Sequence, residues 1–506
     1  MEERLEELFV VENNDQLASL DKDEVIKRVR LLEAGNRLYQ EAISHLNARI
    51  KELRTKYGEE GQERLFLKEQ YLIIRNEVFG ASSERRKKDT EVQQSKQKKT
   101  PKSKVQLPSL RYPKLDLKVS RLDYESPPSC RACHGEMGKM EQVESCEYIE
   151  VITRQFYIKR QEREKYRCPK CHGDIQTTPA PPRLVEGGHF SNDFAIEVSV
   201  GKYVDHLPIE RQKEQMNRQG LVGVKGNSLI EQTHHLADLL RPVYRELGRE
   251  VKASKVLQAD ESPWKMLEGH PRKNWYLWGF LNNHSIFFQA KDSRSQEVAN
   301  KILSESSAKY LMVDGYTAYH RPSKKSGISI CHCWAHARRK FIQAEPSYPE
   351  AQEMINLIGE LYAVEREAQD KEELFRLRQT KSKEIIDKIR QWIYESHSLP
   401  KSSIGKANNY LMKYWEGLTR FLEDADIPLD NNLAERSLRG PVLGRKNAYG
   451  SHSQKGAETS AILYSICESC KLNGLDPYKY LQYAVKTKLE GSKPPTPYQY
   501  RLQQTQ

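Results

Sequence analysis

Residues 255–260, KVLQAD, and 310–315, YLMVDG, decide the fold. Each is a short apolar run that reaches an aspartate, Asp260 in the first and Asp314 in the second. Together with NWYLWGFLN (274–282), SIFFQA (285–290) and ISICHC (328–333), they read as strands rich in β-branched and aromatic residues. RSQEVANKILSES (294–306), between the third and fourth, reads as a helix. The block from 254 to 344 is therefore an α/β pattern. Carboxylates that close neighbouring strands converge on one edge of a sheet, where sites tend to lie. Two such groups repel unless a divalent cation bridges them. A third acid would complete a Mg²⁺ site, and IPLDNNLAERSLRG (427–440) supplies candidates. Asp430 and Asn431 read as capping residues, Glu435 lies one turn inside the helix, and Glu458 is a further acid nearby. Two metals about 4 Å apart on three acids suit in-line displacement at phosphorus. Each acid alone also has a plain reading as a surface or capping group.

Outward from this block the chain changes character several times. Its 506 residues suggest about three domains. Lys and Arg number 82 against 70 Asp and Glu, a net charge of +12 that favours a polyanionic partner, nucleic acid before membrane. No apolar run is long enough to span a bilayer, and the acidic N-terminus lacks the layout of a signal peptide, so a cytoplasmic protein is expected. Residues 1–80 read as helical: Val29, Asn36, Ile43 and Ile50 form one heptad seam, Leu32, Tyr39, Leu46 and Leu53 the other. This predicts a coiled coil and a homo-oligomer, against the plainer reading of an amphipathic helix packed on its own domain. Residues 81–120 are a linker whose tract 85–104 carries nine Lys or Arg against two acids.

Residues 121–180 hold two copies of one knuckle, Cys130-Arg-Ala-Cys133-His-Gly and Cys168-Pro-Lys-Cys171-His-Gly, joined by an alternating apolar and polar stretch. Four thiolates in this arrangement predict a zinc ribbon with a closed, structural Zn²⁺ shell. Cys467 and Cys470 share the spacing but sit in the apolar helical run 461–475 and read as core cysteines. Cys331 and Cys333 alternate with His332, and His336 follows; a packed strand end is the expectation, a second metal site the alternative. Residues 181–252 read as short helices with a Gly-containing turn, a DNA-binding helix-turn-helix or a small bundle. Residues 346–425 are charged and helical, an insertion within the block 253–460, and 461–506 return to helix before a Pro/Gln-rich tail.

In order, DESPW (260–264), VDGYTAY (313–319), CWAHARRKF (333–341) and LDNNLAERSLRGPVLGRKNAYGS (429–451) resemble the catalytic core of the "insertion sequence 66" family of bacterial DDE transposases. NEVFGASSER (76–85), KYVDHLPIERQ (202–212), the paired Cys knuckles and ESCKLNGLDPYKYL (468–481) resemble its flanking regions, so the likeness covers nearly the whole chain. Ser262 stands where that family more often has Thr. The resemblance implies a ribonuclease-H-like catalytic domain with a helical insertion before the third acid, and carries Asp260, Asp314 and Glu435 over as a DDE triad holding Mg²⁺ or Mn²⁺. It implies cleavage at element ends, joining to target DNA, and accessory proteins encoded by the same element in a bacterial, nucleoid-associated setting. Arg338, Arg339, Arg436, Arg439, Arg445 and Lys446 would then contact DNA phosphates. A zinc-containing DNA-binding regulator, or a ribonuclease-H-like nuclease without strand transfer, are the competing readings.

Overall fold

The computed structural model describes residues 155–167, 175–267, 274–396 and 398–505, with short stretches between 107 and 149. They fall into two compact units, one within 162–506 and one within 82–161. The expected coiled coil, the basic tract 85–104 and Cys130, Cys133, Cys168 and Cys171 lie outside the described residues. On either side of the second knuckle, β1 (Lys165–Arg167) pairs antiparallel with β2 (Ile175–Thr177), Lys165 opposite Thr177. In the smaller unit, the helical turn Pro108–Arg111 is tied to Glu147: the N–H and hydroxyl of Ser109 donate to its carboxylate at 2.8 and 2.9 Å.

The larger unit is α+β. Its sheet comprises β3 (Val256–Lys265), β4 (Asn274–Leu281), β5 (Ile286–Lys291), β6 (Tyr310–Val313) and β7 (Ser329–His332). The spatial order is β5-β4-β3-β6-β7; β3 to β5 pair antiparallel, and β6 and β7 extend the sheet in parallel. All five runs read as strands from sequence form strands. Both faces are covered, which is why the runs are almost continuously apolar. Trp275, Leu277, Leu281, Ile286 and Phe288 join one core, whereas Trp278, Phe280, Phe287, Leu257 and Leu311 join another. The β4–β5 hairpin closes on Asn282, whose Oδ1 accepts the N–H groups of His284 and Ser285 at 2.8 and 2.7 Å.

Two sequence expectations change here. Asp260 does not end its strand: β3 runs on to Lys265, paired with β4 throughout. What ends near Asp260 is the parallel pairing with β6, at Gln258 opposite Met312. The signal missed was SPW after the aspartate, a hairpin arm that the proline disguises. The Pro/Gln-rich tail is also helical over Pro497–Thr505. Thr496, fully buried ahead of it, donates to Glu250 at 2.7 Å and accepts the Gln499 N–H at 3.3 Å.

Among the described residues from 175 onward, four helices lead into the sheet: α1 (Asn192–Tyr203), α2 (Ile209–Arg218), α3 (Gly226–Leu239) and α4 (Arg241–Lys252). The helices α5 (Gln296–Leu303) and α6 (His320–Lys325) flank β6, and α7 (Trp334–Ala344) leaves β7. Between α7 and residue 425 come α8 (Ala351–Glu367), α9 (Lys371–Leu377), α10 (Lys383–Glu395) and α11 (Ser403–Thr419), with no strand among the described residues. Their core, with Ile358, Leu361, Ile389 and Leu411, is continuous with Cys331, Cys333 and Trp334. Arg378 pins it from a π-helical turn, fully buried, bonded to both oxygens of Glu365 and to the carbonyls of Phe421, Asp424 and Ile427. The chain closes with α12 (Asn432–Ala448), α13 (Gln454–Leu472), α14 (Pro477–Leu489) and α15 (Pro497–Thr505). Cys467 and Cys470 are wholly buried in α13, as their apolar setting predicts.

Candidate active site

Strand alternation sorts the acids before any side chain is considered. Leu257 and Ala259 belong to one face, so Asp260 lies on the other, as does Asp314 beside Val313. Continuing the β3–β6 register by two residues sets Asp314 level with Asp260. Helix α12 packs along the same strand and brings Glu435 from its first turn.

Asp260 feels the other acids. Burial, the adjoining Glu261, and the charges of Asp314 and Glu435 push the Asp260 carboxyl up to about 8, against a hydrogen bond from the Glu261 N–H at 2.8 Å. Metal-free, this carboxyl holds its proton near neutrality, as expected where acids are crowded without a cation. Glu435 Oε1 is buried with no hydrogen-bond partner, and Asp314 Oδ1 accepts the Tyr316 N–H at 2.9 Å. Neighbouring carboxylates with an unsatisfied oxygen have the chemistry that Mg²⁺ or Mn²⁺ takes, but among the described residues the donor atoms of the three acids do not close into one group within 4.8 Å.

The positioning groups come from distant parts of the chain. Asn431, fully buried, donates from Nδ2 to the Ala259 carbonyl at 2.9 Å, and its N–H meets Cys333 Sγ at 3.2 Å. That stitch locks the start of α12 to β3 and β7. Asp430 is consumed at the helix start: it accepts the Asn432 N–H and the Tyr362 hydroxyl, each at 2.9 Å. Glu458 lies on α13, bonded to Gln454. From α11, Tyr410 and Tyr414 donate to the carbonyls of Asp314 and Gly315 at 3.0 and 3.1 Å. Gly315 is required there, because its φ is +104° and a Cβ would stand 3.2 Å from the Tyr414 ring. On the opposite face Glu261 takes two bonds from Arg294 and one from the Tyr319 hydroxyl, and Arg294 stacks 4.0 Å from the Tyr316 ring centre. Asn431 occupies the cap position read from sequence, but its side chain makes no capping bond and reaches Ala259 instead. That role, and those of Tyr410, Tyr414 and Arg294, escape sequence reasoning, since their targets are backbone or side chains far away in sequence.

Cys333, His336 and Glu435 bring donor atoms within 4.8 Å of one another, the alternative foreseen for Cys333 and His336. Cys331, buried in the same core as Cys333, is not among those donors. Burial pushes the Cys333 thiol up to about 12, and a neutral thiol suits a hard cation poorly. His336 Nδ1, also unpartnered, lies 3.5 Å from Glu435 Oε1. Among the basic residues, Arg339 approaches Glu435 at 3.9 Å and Arg338 is half-buried. Arg436, Arg439 and Lys446 are exposed along α12, and Arg445 donates to the Pro263 carbonyl.

A mixed sheet with acids gathered at one edge and basic side chains beside them defines an α+β protein equipped for anionic substrates. The chain belongs to the Transposase IS66 family, whose model matches residues 187–459. An uncharacterized protein of Sinorhizobium fredii, y4jD, is 30% identical over 387 residues, 72% of this chain and 75% of the relative. A second from that organism, y4hP, is 26% identical over 398 residues, 72% of this chain and 71% of its own length. Among the described residues, no helix is long and apolar enough to cross a membrane.

Proposed function

We propose that this protein is a DNA transposase that cuts at the ends of an insertion sequence and joins the 3′-hydroxyl ends to target DNA. The observation that carries the reading is the charge that Asp314 and Glu435 exert on the buried Asp260 in a member of this family. The antiparallel β5-β4-β3 arm beside parallel β6 and β7 supports a ribonuclease-H-like core. Asp260, Asp314 and Glu435 would hold Mg²⁺ or Mn²⁺, which supplies charge neutralisation at phosphorus and an activated attacking oxygen. Asn431, Tyr410 and Tyr414 hold the carboxylates in place through the backbone. Arg339, with the exposed ridge Arg436, Arg439 and Lys446, supplies donors for phosphate oxygens, and Arg338 and Arg445 flank them. Zinc on Cys130, Cys133, Cys168 and Cys171 is structural, and the partners are element ends, target DNA, further copies of the chain and accessory proteins of the element.

Purified protein incubated with labelled element ends and Mg²⁺ should nick them and yield joined products. Nicks without joining would favour a nuclease, and no metal-dependent nicking would leave a DNA-binding regulator.

A further inference from the structure

A second cluster of donors lies away from the acids, in a shallow, solvent-open cleft between the end of α1, the turn after it and the last turns of α12. Lys202, His206, Trp264, Arg445, Ser460 and Tyr464 line it, and no carboxylate does. Lys202 makes no ion pair with any described acid; its ammonium lies 5.7 Å from the Tyr203 ring centre, and desolvation lowers its pKa. His206 Nδ1 is buried without a partner. The His206 backbone is left-handed, φ 58°, and its carbonyl is held by Asn447 Nδ2 at 2.9 Å. Helix α12 carries Gly440 and Gly444 beneath this ring, where a Cβ would lie 3.4 Å from Cε1 and 3.5 Å from Nδ1. A desolvated ammonium without a counter-ion, an orphaned ring nitrogen and a left-handed backbone each cost stability, only partly offset by the Tyr203 ring and the Asn447 bond. Such costs persist together where a ligand satisfies them.

We propose that this cleft binds one backbone phosphate of DNA, gripped by Lys202, Arg445 and His206. The ligand chemistry follows from a lining rich in hydrogen-bond donors, two of them cationic, which suits a tetrahedral oxyanion. Its place follows from α12. Arg445 is ten residues beyond Glu435, about 15 Å along the helix at 1.5 Å per residue. That is about four nucleotides along a B-form strand. Arg445 also holds the carbonyl of Pro263, three residues past Asp260, so strand β3 links the cleft to the acids. The assignment rests on the DNA-acting reading above and adds a phosphate contact supplied by α1, outside the sheet.

The test uses the full-length protein in EDTA with a fluorescent 30-base-pair duplex, its binding measured by anisotropy across a salt series. Lys202→Met and Arg445→Met should each weaken binding about fivefold to tenfold near 0.1 M salt, as loss of one phosphate contact does. Lys202→Arg should recover most of the loss. The Lys202→Met/Arg445→Met double variant should fall well short of the product of the single losses, because both cations grip the same phosphate. Lys202→Met should melt no lower than wild type, since the ammonium it removes is desolvated and has no carboxylate partner among the described residues. Wild-type affinity in Lys202→Met, multiplying losses in the double variant, or a lower melting temperature for Lys202→Met would each overturn the assignment while leaving the DNA-acting reading intact. Wild-type protein that shows no salt-dependent duplex binding would sink both.

Discussion

At the residue scale, Asp260 makes the metal-free protein sensitive to pH. Its folded-state carboxyl titrates near 8, far above its ordinary value near 3.8. Between those limits the unfolded chain releases this proton and the folded chain keeps it, so folding loses stability as pH rises from about 4 to about 8. Asp260→Asn removes that penalty. In EDTA, thermal melting should show the variant gaining on wild type across this window, and millimolar Mg²⁺ should raise wild type but not the variant. Equal pH profiles for the two proteins would refute the crowding of acids. The third acid has its own test, because Asp430 and Glu458 are rivals in sequence. Asp430 is spent on Asn432 and Tyr362, and Glu458, on α13, is bonded to Gln454. Glu435→Gln should therefore abolish nicking as thoroughly as Asp260→Asn or Asp314→Asn, by several orders of magnitude, with duplex binding in EDTA retained. Glu458→Gln should nick normally, and a wild-type rate in Glu435→Gln would unseat it. Both rivals were legible in sequence; choosing between them was not, because hydrogen bonds consume one and helix placement removes the other.

At the element scale, α12 works because glycine lets it lie close. A Cβ at Gly444 would overlap the Tyr464 hydroxyl and stand 3.2 Å from Cζ. Gly444→Ala should therefore destabilise the protein by about 1–3 kcal/mol, the usual cost of overpacking, even though alanine is the better helix former. Adding Tyr464→Phe removes the clashing oxygen and should restore most of the loss in chemical denaturation. Failure of that rescue would show that helix α12 tolerates or rejects the methyl for another reason. The strands were readable from the sequence, since burial on both faces makes each an apolar run. The extent of β3 was not, because a proline within a hairpin arm looks like a strand end.

At the scale of the whole molecule, the insertion and the core depend on each other. Helix α11 lies about a hundred residues beyond Asp314, yet its Tyr410 and Tyr414 hold the carbonyls at Asp314 and Gly315. The knuckles offer a separate whole-chain measurement. Elemental analysis should give about one zinc per chain, lost in Cys168→Ser and kept in Cys467→Ser, whose thiol is buried in α13. Two tightly held zinc ions would overturn the reading of Cys331 and Cys333 as a packed strand end, or of Cys467 and Cys470 as core cysteines.

The sequence by itself determined the strand runs, the buried cysteines of α13, the two aspartates at the core of the site and the family, because each is written in local pattern or in contiguous motifs. Tertiary structure alone decided which residues hold those acids. Asn431 reaches Ala259 across 172 residues, and Tyr410 reaches Asp314 across 96. It also brought Lys202 and Arg445 to one cleft. Hydrogen bonds to backbone carbonyls demand only a donor at the right point in space, so they leave no periodicity or spacing in the chain for a reader to find.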